Sequence, residues 1–303
     1  MVKVVKVIVP YIRTARPLNT AIVGCAVFLG MWLAGFPAPV PVYVESVEPV
    51  AGAVKSYTDA ILLILAAMAA TAYGNAVNDI LDVETDRVSH PDRPLVTGAM
   101  SIGSASVFTA ALATLSLACA TAVSVFHATA ALIPIILLTM YSIYFKRTKL
   151  IGNIIVAALT AYALLFGGLS HPDIKILFAP ALLAFLLNFC RELAKDVQDT
   201  EGDRAAGFAT SAELPRPIIG RLLIIAGCAH LAAMWAPSLL LGHFGMVYTG
   251  VCVAAVLPLH ISWMMLAFRA DFDKYVKRMG AILKAEMVAG LAALAADKII
   301  WTL

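Results

Sequence analysis

"AILLILAAMAATAYGNAVNDILDVETDR", residues 60 to 87, sets an apolar run directly against an acidic one. Residues 60 to 74 contain no Asp or Glu, and then Asp79, Asp82, Glu84 and Asp86 follow within one short stretch. Hydrocarbon about 30 Å thick is crossed by roughly 20 apolar residues at helical rise, and the stretch from 57 to 79 has that length. Similar runs recur along the whole chain, at about 18 to 36, 57 to 79, 102 to 124, 126 to 145, 151 to 169, 175 to 195, 218 to 240, 244 to 268 and 280 to 302. Nine spans with short connections predict an all-α polytopic membrane protein, a single domain over residues 1 to 303 with its helices bundled around a central cavity.

Composition agrees. Of 303 residues 61% are hydrophobic and only 14% charged, well outside the range of soluble domains. The opening "MVKVVKVIVPYIRTARP" is too polar for a cleaved signal peptide. Lys3, Lys6, Arg13 and Arg16 among its Val and Ile residues predict a segment lying on anionic lipid. The cysteines, Cys25, Cys119, Cys190, Cys228 and Cys252, stand singly in apolar spans and read as small buried hydrophobes.

Under the nine-span reading 19 of the 22 basic residues fall on one side, leaving Lys55, Lys175 and Lys298 on the other. Cytoplasmic loops carry the excess of Lys and Arg, so the N-terminus is expected inside the cell membrane and the 37 to 56 loop outside. The same assignment puts 11 of the 19 acidic residues into just two inner connections. Orientation rules do not ask for acids there, so a chemical reason is required.

The two acidic stretches repeat one another. "NAVNDILDVETDR" and "ELAKDVQDTEGDR" share the spacing D-x-x-D-x-x-x-D-R, with Asp79, Asp82, Asp86 and Arg87 each 117 residues before Asp196, Asp199, Asp203 and Arg204. Positions i, i+3 and i+7 fall within about 60° of one another on an α-helix, so each triplet is expected to present its carboxylates in one direction. Glu84 has a different phase and points away. Like charges clustered at a membrane edge are costly unless a strong positive charge joins them. Oxygen-only donors that leave room for water and phosphate suit Mg²⁺, and no His/Cys cluster with zinc spacing is present in the sequence. Arg87, Arg93, Lys146, Arg147, Lys195 and Arg204 are available for phosphate oxygens.

These features resemble the UbiA superfamily of intramembrane prenyltransferases, in which an N-D-x-x-D-x-x-x-D motif follows the second of nine helices and another Asp-rich motif the sixth. Asn78, Asp79, Asp82 and Asp86 match the first, and Asp196, Asp199 and Asp203 the second. "RPLN" (16 to 19), "DRPLVTG" (92 to 98) and "YSIYFKRTKLIGN" (141 to 153) extend the likeness over nearly the whole chain. The family often has Asn two residues before the x-R-P element, where this chain carries Ser89, His90 and Pro91, and His90 is therefore given no role.

The resemblance implies transfer of a polyprenyl group from its diphosphate to an acceptor. Mg²⁺ is then the expected cofactor, held by Asp79, Asp82, Asp86, Asp196, Asp199 and Asp203. Expected substrate contacts are Arg16, Asn19, Asn75, Asn78, Arg87, Arg93, Lys146, Arg147, Lys195 and Arg204. Asp79 or Asp196 is a candidate proton acceptor, and Tyr144, with Tyr73 and Tyr141, a candidate to face a developing allylic cation.

"RELAKDVQDTEGDRAAGFAT" (191 to 210) is similar to the archaeal ether-lipid branch, which implies geranylgeranyl diphosphate as donor and the hydroxyl of geranylgeranylglyceryl phosphate as acceptor. The partners expected are a prenyl diphosphate, a lipid-like phosphate and membrane lipid, with no nucleic acid. An aromatic prenyltransferase, such as 4-hydroxybenzoate polyprenyltransferase of quinone synthesis, is the alternative enzyme. A cation transporter is the non-enzymatic one, although transporters place their carboxylates near the midplane, whereas both acidic runs here sit at one membrane edge.

Overall fold

The computed structural model describes residues 2–36, 54, 56–205, 207, 209–239 and 244–302, and among them no strand occurs. The chain runs through α1 (Val2–Ala15), α2 (Pro17–Ala34), α3 (Tyr57–Leu81), α4 (Val83–Ser89), α5 (Ile102–Val123), α6 (Val125–Ile143), α7 (Ile151–Gly167), α8 (Phe178–Ala205), α9 (Arg216–Leu239), α10 (Met246–Val251), α11 (Leu257–Ala267) and α12 (Val276–Thr302). Eight of the described helical stretches are long and apolar enough to cross a membrane, and α7 is a shorter apolar helix of 17 residues. The loop expected outside, at 37 to 56, lies almost wholly beyond the described residues, as do Lys55 and the side chains of Lys3 and Lys6.

Local chemistry places the helix boundaries. Ser56 and Asp59 form a reciprocal capping box at the start of α3. Ser101 caps α5. Ser124 alone separates α5 from α6: its backbone is extended, and its hydroxyl accepts from the His127 amide at 3.1 Å. Between α1 and α2 the break falls at Arg16, because Pro17 disfavours the right-handed helical region for the residue before it. Arg16 instead adopts left-handed φ 53° and ψ 69°, an uncommon conformation for a residue with a side chain.

The helices gather into two compact units, the first comprising Met1–Lys146, Phe166–Pro172 and Glu201–Phe208. There α3 packs against α1, α2, α5 and α6. Its buried face is mostly alanine, Ala60, Ala66, Ala69, Ala70, Ala72 and Ala76. Small residues let membrane helices approach closely when lipid offers no hydrophobic drive for association. Gly167 marks a tight approach: a Cβ there would lie 2.1 Å from the carbonyl oxygen of Val27 in α2.

The second unit comprises Arg147–Leu165, Asp173–Thr200 and Ala209–Leu303. Its core includes Leu187, Leu193, Ile219, Leu223, Trp263 and Leu283. A π-helical stretch, Cys252–Val256, joins α10 to α11 just before Pro258. The buried Asp297 of α12 accepts the Gly245 and Tyr248 backbone amides at 3.0–3.1 Å, which satisfies free N–H groups at the start of α10. Cys119, Cys190 and Cys252 are buried as expected, while Cys25 and Cys228 are exposed.

Candidate active site

The first acidic run departs from a simple helix. α3 ends at Leu81, Asp82 takes φ −98° and ψ 7°, and α4 begins at Val83. Hydrogen bonding nevertheless continues through the irregularity, from the Asp82 amide to Asn78 O at 2.9 Å and from the Asp86 amide to Asp82 O at 2.8 Å. Asp79, Asp82 and Asp86 consequently all turn inward, at 3%, 2% and 4% exposure. Glu84 lies on the exposed side and pairs with Arg87 at 3.4 Å, so Arg87 is directed away from the three buried carboxylates.

Three basic side chains from separate stretches meet those carboxylates. Arg16 reaches Asp79 Oδ1 at 2.5 Å, and Asn75 holds that junction by donating to Ala15 O at 3.1 Å while its Oδ1 lies 3.4 Å from the Arg16 guanidinium. Arg93 bridges Asp79, at 3.2 Å, and Asp86. Its loop is tied to α1 by Arg13, whose Nη2 donates to both the carboxylate and the carbonyl of Asp92 at 2.9 Å. Lys146, following α6, pairs with Asp82, which also accepts from Asn78 at 2.5 Å. Three carboxylates are thus balanced by three cations, as burial of charge demands.

Burial pushes the Asp86 carboxyl above the ordinary carboxylate value, while Arg93 works in the opposite direction. His90, given no role from sequence, stands with Nδ1 3.6 Å from Asp86 Oδ1.

The second run lies within the uninterrupted α8. Asp196 Oδ2 accepts from Asn153 at 2.9 Å and from Ser211 at 2.6 Å. Lys195 lies 3.7 Å from Asp199. Asp203 is buried, and Arg204 is exposed. Glu192, also buried, pairs with Arg191. Asn19, Arg147 and Tyr144 are exposed, and the Tyr73 hydroxyl is 2.6 Å from Thr139 Oγ1. Asn153 lies in a stretch that the sequence had singled out, but nothing marked Ser211 as a partner of Asp196.

The donor chemistry fits a divalent ion. Both runs offer carboxylate oxygen, the ligand preferred by hard cations, and the first already concentrates three acids below 5% exposure.

The model of the UbiA prenyltransferase family matches residues 26–279. The chain belongs to the UbiA family. A digeranylgeranylglyceryl phosphate synthase of Methanoculleus marisnigri is 30% identical to this UbiA chain, over 96% of it and 98% of the relative. A solved structure described as giving insight into digeranylgeranylglyceryl phosphate synthase in membranes superimposes with TM-score 0.75 at 23% identity, covering 97% of this chain and 99% of the other. A UbiA homologue from Archaeoglobus fulgidus, solved bound to GPP and Mg²⁺, gives TM-score 0.58 at 20% identity over 94% of this chain and 99% of the other.

Proposed function

We propose that this UbiA chain transfers a geranylgeranyl group from geranylgeranyl diphosphate to the free hydroxyl of geranylgeranylglyceryl phosphate, releasing diphosphate, at the cytoplasmic edge of the cell membrane. The observation that carries the reading is the buried cluster of Asp79, Asp82 and Asp86 with Arg16, Arg93 and Lys146 at the end of an apolar helix. The relatives named for this reaction supply its substrate class.

Asp79, Asp82 and Asp86, with Asp196, Asp199 and Asp203, would hold Mg²⁺. Bound there, Mg²⁺ supplies positive charge for the departing diphosphate. Arg16, Arg93 and Lys146 add cations beside the carboxylates that would contact phosphate oxygen, while Asn75 and Asn78 orient Arg16 and Asp82. Arg147, Lys195, Arg204, Asn19 and Arg87 remain proposed contacts for the diphosphate or for the acceptor phosphate. The allylic C–O bond breaks with its electron pair leaving on diphosphate. The acceptor hydroxyl oxygen forms the new C–O bond, and its proton passes to Asp79 or Asp196. The prenyl tail is taken up among apolar helices, and Tyr144 turns its ring toward the allylic carbon as positive charge develops.

One assay decides among the readings. Purified protein with Mg²⁺ and geranylgeranyl diphosphate is offered geranylgeranylglyceryl phosphate or 4-hydroxybenzoate in parallel. Alkylation of the glyceryl phosphate is expected, with turnover reduced at least ~100-fold in Asp82→Asn, the scale of losing one electrostatic group at a reacting centre. Alkylation of the aromatic acid alone would replace this reading with the quinone-type enzyme. Absence of alkylation, together with Mg²⁺ flux in vesicles, would favour transport.

A further inference from the structure

Outside the acidic runs, the second unit buries another set of chemically capable side chains. His230 of α9, His260 of α11 and Glu286 of α12 are 4%, 1% and 0% exposed. They bring one ligand atom each to within 4.8 Å of one another. Both imidazoles aim Nδ1 at a single carboxylate oxygen, Glu286 Oε1, at 2.8 Å for His260 and 3.7 Å for His230. The rings are stacked, with centroids 5.1 Å apart and planes 14° from parallel. The other carboxylate oxygen, Oε2, accepts from Trp263 Nε1 at 2.6 Å.

This arrangement leaves something unmatched. His230 Nδ1 has no hydrogen-bond partner, and neither does His260 Nε2, so the triad holds two of the six orphaned buried side-chain atoms among the described residues. An unmatched buried polar atom is costly. The contrast with Asp297 is instructive: that buried acid is satisfied by backbone amides. The close contact of His260 with Glu286 still leaves His230 Nδ1 3.7 Å from an oxygen it does not reach.

We propose that His230, His260 and Glu286 form a binding site for a zinc-like divalent transition metal within the second unit, chemically separate from the oxygen-only acidic runs. Two imidazole nitrogens and a carboxylate oxygen are a recurrent zinc donor set, with bonds of about 2.0–2.2 Å. Ligand atoms around such an ion stand roughly 3.4 Å apart by tetrahedral geometry, between the two separations seen here. Imidazole also biases the site toward first-row transition metals over Mg²⁺. Trp263, donating to Oε2, turns Oε1 toward the imidazoles as an outer-shell partner does. An ion there would join α9, α11 and α12 and would engage the unmatched nitrogen of His230. The site is independent of the prenyl-transfer reading.

The test uses the full chain in detergent, stripped with EDTA and then titrated with Co²⁺ under excess Mg²⁺ to occupy oxygen-rich sites. The expected result is a visible absorption band of nitrogen-ligated, low-symmetry Co²⁺ that saturates at a single equivalent and is displaced by Zn²⁺. The band should be lost in His230→Gln and in Glu286→Gln, and retained in Asp82→Asn. Zn²⁺ should also raise the thermal midpoint of the unsubstituted protein by several degrees without shifting His230→Gln. No band in the unsubstituted protein overturns the proposal. So does a band that survives both triad substitutions, or one that disappears in Asp82→Asn, which leaves the triad intact and decides the matter even where the triad variants fold poorly.

Discussion

Arg16 joins a backbone anomaly to a charge. Pro17 keeps it out of the right-handed helical region, and Asp79 and Asn75 hold its side chain while its backbone is left-handed. Strain of this kind is kept where surrounding contacts over-determine it. Two substitutions separate the parts. Arg16→Ala removes the guanidinium and keeps a Cβ at positive φ, whereas Arg16→Gly removes both. The glycine variant is expected to be more stable by roughly 1 kcal/mol, the scale of the left-handed penalty for an L-residue, as read from denaturant midpoints in micelles. Turnover should fall equally in both, because neither can pair with Asp79 or contact diphosphate. Equal stabilities would remove strain from the account, and a glycine variant with restored turnover would remove the charge.

At the scale of elements, a small residue lets two helices lie close, and what it faces decides what a substitution there costs. Gly167 and Gly74 are both small residues in the first unit, yet the contacts they permit differ in kind. A Cβ on Gly74 would stand 2.7 Å from Leu138 Cδ1, the end of a flexible side chain, while a Cβ on Gly167 would stand 2.1 Å from the backbone oxygen of Val27. A side chain escapes by changing rotamer and a helix backbone does not. Gly167→Ala should therefore lower the thermal midpoint by several degrees more than Gly74→Ala, measured side by side in the same detergent. The reverse order would mean that α2 shifts freely. Neither contact was legible in the sequence, which marks a small residue but not its neighbour. The Ser124 break and the Arg16–Pro17 junction were close to legible, since hydroxyl caps and prolines act within a few residues. The interruption of α3 at Asp82 was not, because its local spacing still reads as one continuous helix.

Across the whole molecule, legibility followed the range of the interaction. The apolar runs and the two acidic runs in register are patterns along the chain, and they led to the UbiA family directly. Which cation meets which carboxylate depends on residues far apart, such as Lys146 with Asp82, and the pairing of Arg93 with two acids has no linear signature. The His230, His260 and Glu286 cluster escaped notice for the same reason, since its members lie on three helices and share no short spacing. Charge asymmetry is the one global property that the sequence states and that packing alone does not address. With 19 basic residues assigned inside, the N-terminus and both acidic runs should face the cytoplasm. Lys175 and Lys277 are exposed residues assigned to opposite sides. In a cysteine-free background, Lys175→Cys should react with a membrane-impermeant maleimide on intact cells, and Lys277→Cys only after lysis. Labelling of Lys277→Cys on intact cells would invert the orientation and place both acidic runs on the outer face.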